Sequence, residues 1–381
     1  MQDVDVAVVG AGPAGAAAAL AARRADPEAR VLLLDRVAFP RDKVCGDGIG
    51  PEGVDVLRWL GAEHVLDGHP PLARVRLVAP SGHEAVGDAP RPGVVVPRVV
   101  LDDRLRRAAL DAGAEWRQQR VREVVPDGRG RVVLDGAVRA RTVVGADGAN
   151  GVVRRSAGQS GQPRAHTGVA LRGYVDGDLD ALTIAFVDDR WPAYAWAFPT
   201  GTGRVNVGYG PFDARRAGPR ADLAASLSRH AELLGVEHAP QHLRAHPLPL
   251  STHRPSPAVG RVLLAGDAAS LVNPLTGEGI YYALLSGAMA GSAAVRFPEA
   301  PGRAYAGALR SRLGRHLRHT RAAAWAFRST GPVDLSVAAA AADPVALGEL
   351  CEFALGTGLI TPRMVSSLSR AWLRGVLPGS G

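Results

Sequence analysis

The run Val4 to Val9, apolar except for Asp5, leads without a break into Gly10-Ala11-Gly12-Pro13-Ala14-Gly15 and then an Ala-rich stretch. Strand, GxGxxG and helix in that order constrain the fold more than any other feature of the chain. Gly10 permits the tight turn, Gly12 lets the backbone approach a pyrophosphate, and Gly15 lets the helix opened by Pro13 and Ala14 pack on the strand. A second apolar strand, Val31 to Leu34, ends in Asp35 about 20 residues after Gly15, where a carboxylate can hold an adenosine ribose. The spacing predicts an α/β protein with a Rossmann-like dinucleotide-binding unit.

Which dinucleotide is bound follows from a second motif. An apolar strand, Arg261 to Ala265, runs into Gly266-Asp267 and then turns on Pro274, Gly277 and Gly279 into an apolar helix beginning at Ile280. Such a loop presents bare backbone N–H groups and a helix N-terminus to an anion or an electron-rich ring. Asp267 would accept from a ribityl or ribose hydroxyl. The pair of motifs points to flavin.

At 381 residues the chain predicts two or three domains. A net charge of +8 is compatible with a nucleic-acid partner, but only Lys43 of the 45 basic residues is lysine and the arginines are scattered. No nucleic-acid-binding module accompanies them, so no such partner is expected. Cys45 and Cys351 make neither a disulfide framework nor a metal-ligand spacing, and the N-terminal apolar run is the fingerprint strand, not a signal peptide. A cytoplasmic location is expected. Ile280 to Val295 carries no charge but is too short for a comfortable membrane span, and reads as a core helix.

The periodicity predicts an interleaved organisation. Residues 1–70, 92–160 and 250–300 are expected to form a discontinuous FAD-binding domain. Residues 71–91 and 161–249 should form an antiparallel β-sheet substrate domain, and 301–381 a helical region. Helices are expected over Glu52 to Leu60 and Arg98 to Ala112, and strands over Val75 to Ala79, Gly93 to Val96 and Arg141 to Gly145, the last followed by Asp147-Gly148. Alternation in Tyr194-Ala195-Trp196-Ala197-Phe198 puts three aromatic rings on one strand face. They could flank a large apolar substrate or simply pack the sheet onto the flavin lobe.

The ordered set Gly10-x-Gly12-x-x-Gly15, Asp147-Gly148 and Gly266-Asp267 resembles the flavoprotein hydroxylase superfamily. Pro40 to Gly50, Tyr194-x-Trp196-x-Phe198-Pro199 followed by Gly208-x-Gly210, and Asn273 to Ile280 are similar to the geranylgeranyl reductase family. The likeness covers about residues 4 to 300. It implies a tightly held FAD, with Asp35, Arg36, Cys45, Gly46, Arg98, Asp267 and Gly279 at contact positions and Val121, at the start of a strand, offering its backbone to the adenine.

The family chemistry is divided, so alternatives stay open. The leading expectation is reduction of a carbon–carbon double bond in a large apolar substrate, prenyl or natural product, by hydride from reduced flavin. Cys45 or water would supply the proton, although Cys45 also reads as a small side chain fitted beside the ring. No second GxGxxG occurs, so the reductant is transient NAD(P)H or another donor. The rival is a flavin monooxygenase or oxidase, in which Asp147-Gly148 with Arg154 and Arg155 would suit NADPH docking. Lys43, in the loop before Cys45, brings in a flavin halogenase reading, which the Tyr-x-Trp-x-Phe-Pro segment disfavours; a non-redox flavoprotein cyclase is a further alternative. Arg363 to Arg374 reads as a basic helix with an apolar side, suited to a membrane surface or to capping the domain.

Overall fold

The computed structural model describes residues 1–373. The fingerprint strand Gln2–Val9 lies at the centre of a mainly parallel sheet, between Val31–Asp35 and Val138–Gly145, with Val8 opposite Leu33 on one side and Val144 on the other. Glu115–Gln118 continues the sheet beyond Val31–Asp35, and Val262–Leu264 with Ala258–Val259 continues it beyond Val138–Gly145. Val124–Pro126 and Val132–Leu134 form a hairpin against the same strand. The inner strands are buried on both faces, as a run of Val and Leu requires in a parallel sheet.

The fingerprint helix, Pro13–Ala25, is packed against Ile280–Arg296 with unusual closeness. A Cβ on Gly287 would lie 2.0 Å from the Ala14 carbonyl oxygen, and one on Gly291 the same distance from that of Ala18. Glycines four apart on one helix therefore meet alanines four apart on the other. This contact explains the Ala-rich run and fixes the second motif against the first. It also accounts for the uncharged Ile280 helix as core.

The second sheet runs Arg244–Pro249, Thr167–Asp176, Arg204–Pro211, Ala193–Pro199, Leu182–Val187, Leu72–Val78, Glu84–Val95, Gly48–Ile49. It is antiparallel except where Leu182–Val187 meets Leu72–Val78. The expected strand at Gly93 is the end of a longer one, Glu84–Val95, which runs through position 91/92. Pro90 and Pro92 sit where the register jumps from Asp88 opposite Arg74 to Gly93 opposite Leu72. There a missing N–H costs no ladder bond, so the prolines end nothing. Gly48–Ile49 pairs with Val94 and Val95, so the loop carrying Cys45 bridges the two sheets. One face of the aromatic strand, through Ala195 and Ala197, packs with Val207 of the neighbouring strand and with Leu223 and Leu227 on helix Arg220–Arg229. Its other face looks toward the nucleotide sheet.

The C-terminal region folds into helices Pro301–Ala326, Gly331–Ala342, Pro344–Leu355 and Pro362–Leu373. It buttresses the flavin loop. Tyr282 Oη and His316 Nε2 are 2.7 Å apart, Thr276 Oγ1 donates to the Ala354 carbonyl at 3.0 Å, and Asn273 Nδ2 donates to the same carbonyl at 3.2 Å. Among the described residues no helix is long and apolar enough to cross a membrane.

Candidate cofactor and active site

Between the two sheets lies a cavity of ≈ 790 Å³, within the range of cofactor and ligand pockets. Gly10, Gly12, Pro13, Ala14, Asp35 and Arg36 form one end; Lys43, Cys45, Gly46, Arg98, Val121 and Asp147 continue it; Asp267, Gly277, Gly279 and Ile280 face it. Tyr194, Trp196 and Phe198 form part of its roof. Gly15, Gly266 and Pro274 stand behind its wall. A Cβ on Gly15 would lie 1.7 Å from the Gly10 carbonyl oxygen, so its part is helix–strand packing; the Gly266 N–H donates to Ser286 Oγ at 2.9 Å.

The cavity's fingerprint end has the chemistry a dinucleotide needs. Asp35 accepts from the Ala11 N–H at 2.8 Å and the Val37 N–H at 3.1 Å, which fixes its carboxylate at the strand end. Gly12 caps the fingerprint helix without any side-chain hydrogen bond, so the first-turn N–H groups stay open to an anion. Arg98 forms a buried fork with Asp102 at 2.6 and 2.7 Å, and Arg41 reaches the same carboxylate at 3.1 Å. Two guanidinium groups on one carboxylate leave net positive charge beside Gly12. Val121 lies in the loop between Glu115–Gln118 and Val124–Pro126, not at a strand start, because Asp135 holds that loop by accepting from the Arg122 and Glu123 N–H groups at 2.9 Å. The Val121 backbone makes no hydrogen bond among the described residues and is available to a base edge. These residues fit FAD.

The expectation for Arg154 needs correction. Arg154 is buried, and its guanidinium donates to the Ser160 carbonyl and Ser270 Oγ, both at 2.8 Å, so it braces the wall and cannot dock a nucleotide. Lys43, expected among the cofactor-binding residues, lines the cavity and is ion-paired there: its Nζ lies 2.8 Å from Asp267 Oδ2. Burial pushes the Asp267 carboxyl up, but the Lys43 ammonium outweighs it and holds the carboxyl below the ordinary range. Asp267 thus contributes stability above its ordinary pKa, and this is lost as pH falls through the depressed value. Lys43→Met should destabilise the fold at pH 7 by about 1–3 kcal/mol, discounted for partial exposure of the pair. The deficit should shrink only as pH falls below the ordinary carboxylate range and through the depressed value of Asp267, where both proteins come to carry a neutral carboxyl. Urea unfolding at the two pH values checks this; an equal deficit at both would rule the ion pair out as its cause.

The aromatic trio shares one face, with ring centroids 5.5 Å apart for Tyr194 and Trp196 and 6.4 Å for Trp196 and Phe198. Tyr194 Oη donates to the Thr276 carbonyl at 2.5 Å, tying the sheet to the flavin loop. Trp196 is only 3% exposed, and its Nε1–H donates to Asn206 Oδ1 at 2.9 Å. Burial pushes the Cys45 thiol up despite nearby Arg98, so it is a protonated thiol at neutral pH. Residues the sequence did not single out complete the site. Burial raises Glu278 to about 7 against the N–H groups of Tyr281 and Ile280, and lowers His246 to about 4, with Lys43 assisting.

A family model described as FAD binding domain matches residues 3–285. The chain is 37% identical over 316 residues to the menaquinone reductase of Mycobacterium tuberculosis, covering 75% of each protein. It is 34% identical over 328 residues to digeranylgeranylglycerophospholipid reductase 2 of Methanopyrus kandleri, covering 78% of each. In fold, 99% of the chain matches the whole of a geranylgeranyl bacteriochlorophyll reductase-like protein from Thermoplasma acidophilum, with TM-score 0.76 at 21% identity. Fold, cavity and these likenesses define an FAD-dependent oxidoreductase. The chain belongs to the geranylgeranyl reductase family within the flavoprotein hydroxylase fold.

Proposed function

We propose that this enzyme reduces an isolated carbon–carbon double bond in a long prenyl-type chain. The observation that carries the reading is the contrast between the cavity's walls. Opposite the charged fingerprint end, Leu72, Val75, Leu182, Ile184, Phe198 and Leu355 give it an apolar side. The sugars and phosphates of a dinucleotide have no use for such a wall; a hydrocarbon chain does. The relatives named for menaquinone and for digeranylgeranylglycerophospholipid support the same class.

Reduced FAD supplies hydride when bound. The chain's own residues do the rest. The apolar wall orients the alkene and excludes water, and Cys45, protonated and lining the cavity beside the aromatic roof, holds the proton that completes the reduction. Lys43 is engaged with Asp267, which weighs against a halogenase role for it. The electron donor is NAD(P)H or another carrier that visits transiently.

The test is anaerobic. Dithionite-reduced protein mixed with menaquinone should reoxidise its flavin in proportion to a product two hydrogens heavier in its side chain, a gain that persists after air has returned any quinol to quinone. A product that gains an oxygen atom only in air would instead make the enzyme a monooxygenase.

Access to such a substrate suggests a membrane surface. On Pro362–Leu373 the side chains of Trp372 and Leu373 are exposed, with Arg363 and Arg370 on the same helix; Arg374, the last residue of the expected helix, lies outside the described residues. Trp372→Ala should weaken flotation with anionic vesicles at low salt, and wild type that stays unbound there would dismiss the surface.

A further inference from the structure

We propose that a second cavity, on the outer face of the substrate sheet at its edge, holds the diphosphate of the nicotinamide dinucleotide that reduces the flavin. This rests on the reductase reading above and says where its transient donor docks. The cavity measures ≈ 380 Å³. Strand alternation sets it back to back with the cofactor cavity. On Thr167–Asp176 and Arg244–Pro249, the side chains of Ala170, His246 and Leu248 line the cofactor cavity, whereas those of Thr167, Val169, Ala245, Pro247 and Pro249 line the second. Arg244–Pro249 is the last strand of its sheet, so only the sheet's edge divides the two. Ala149 and Asn150, which follow Asp147-Gly148, line both. A Cβ on Gly148 would meet nothing within 4 Å, so no other element packs over that loop there. An elongated ligand seated in the second cavity thus reaches the first past Asn150.

The second cavity carries positive charge and no acid. Exposed Arg164 and Arg220 line it, and no aspartate or glutamate does. Among the described residues neither guanidinium is paired with a carboxylate. Arg164 Nη2 donates to the Ala214 carbonyl at 2.8 Å, and Arg220 Nη2 donates to the Leu243 carbonyl. Each is thereby held in place with its charge unneutralised and its remaining N–H groups open to an anion. Arg155 adds a third cation at the passage, its Nη1 donating to the Asn150 carbonyl at 2.7 Å.

Beside these charges the surface is apolar. Ala214, Ala217, Leu223 and Pro249 are buried residues of the lining, which suits a flat base attached to the diphosphate. The wall is also preformed. Gln162 Nε2 donates to the His166 and Leu250 carbonyls at 2.8 and 3.0 Å, while its Oε1 accepts from Ser270 Oγ at 2.8 Å. A free inorganic anion would need the arginines alone; the apolar lining and the passage to the flavin together select a dinucleotide. The fingerprint is taken by FAD, and the chain has no second GxGxxG to offer the donor.

The step balances. The C–H bond at nicotinamide C4 breaks as its hydride passes to flavin N5, and the flavin takes one proton from water. The dinucleotide leaves oxidised, and the two electrons go on to the alkene.

The holoenzyme is titrated calorimetrically with NADP+, which binds without giving hydride, and its anaerobic reduction by NADPH and by NADH is followed by flavin absorbance. Wild type should bind NADP+ saturably, and the reduction rate should rise to a plateau with donor concentration. Ala245 is exposed and lines the cavity, so a longer side chain there disturbs no core. Ala245→Glu should raise both the NADP+ Kd and the half-plateau donor concentration roughly ten-fold or more by repelling the diphosphate, whereas Ala245→Lys, of similar bulk, should raise neither. Arg164→Gln and Arg220→Gln keep an N–H donor for the Ala214 and Leu243 carbonyls but lose the charge, and each should raise the Kd about five-fold. Flavin content and melting temperature establish that each variant is folded. Equal effects of Glu and Lys at position 245, or no effect from Glu and from both Gln variants, overturn the site. Wild type that reduces menaquinone with dithionite, yet binds no NADP+ and is reduced by neither dinucleotide, also overturns it and leaves the reductase reading standing. Wild type whose flavin NADPH reduces but which leaves menaquinone untouched fails the substrate reading instead, and the position 245 pair still tests the docking site.

Discussion

Gly12→Val is expected to yield a folded, colourless protein. The backbone at Gly12 has φ −73° and ψ −172°, a conformation open to any residue, so no strain opposes the change. A Cβ there would have as its nearest neighbours Arg41 Nη2 at 3.3 Å, Arg98 Nη2 at 3.7 Å and Asp102 Oδ2 at 3.9 Å, all ends of side chains. The valine would stand in the space between the glycine loop and the two guanidinium groups, where a pyrophosphate must lie. Absorbance and flavin released on denaturation should both fall to background, while the melting temperature matches that of wild-type protein stripped of flavin. Gly15→Ala is the informative contrast. Its Cβ would strike the Gly10 carbonyl oxygen, a backbone atom that cannot step aside, and the expected loss is of the fold itself. Retention of stoichiometric FAD by Gly12→Val would remove the fingerprint from the binding site.

The difference between these two glycines was legible in the sequence because it is local. A strand, three glycines at fixed spacing and a carboxylate about 20 residues on are tied by short-range steric rules, and they specify the parallel sheet almost alone. The same holds for the flavin loop and for the alternating aromatic strand. What the sequence concealed is pairing across distance. Nothing near Lys43 in the sequence marks its partner, because Asp267 is 224 residues away. Arg154 looks available until Ser270 and the 160–162 loop enclose it. The prolines of the 84–95 strand look like a turn because nothing local reveals a register jump in the partner strand.

Asp47 is the instructive intermediate case. An acid flanked by glycines in Cys45-Gly46-Asp47-Gly48 signals a tight turn, and polar residues tolerate left-handed backbone better than apolar ones. The turn was therefore readable. Its chemistry, a carboxyl that burial raises to about 6, was not, because the groups that set it, Arg172, Tyr174 and Asn206, come from two strands more than 120 residues further along the chain. A carboxyl becomes an acid near neutral pH only when the fold has decided how much water and how many donors it keeps.

Trp196→Ala is expected to melt the protein early and release FAD. The indole is 3% exposed, and it occupies the space a side chain at position 208 would need: a Cβ on Gly208 would lie 2.1 Å from the ring. Its N–H binds Asn206, which also holds the Cys45 carbonyl and Asp47. Truncation thus opens a core void and frees a member of that buried network, at about 3–5 kcal/mol of stability. Phe198 is half-buried, lies against Gly46, and lines the cavity without such a bond. Phe198→Ala should keep its flavin and weaken binding of a prenyl substrate by roughly 1–3 kcal/mol. The pair separates two roles that one strand face combines, the central ring as a wedge holding the Cys45 loop and the outer ring as a substrate wall. Thermal unfolding, flavin occupancy and menaquinone KM on both variants decide it. Trp196→Ala with normal melting and full flavin but a raised KM would assign the indole to the substrate instead.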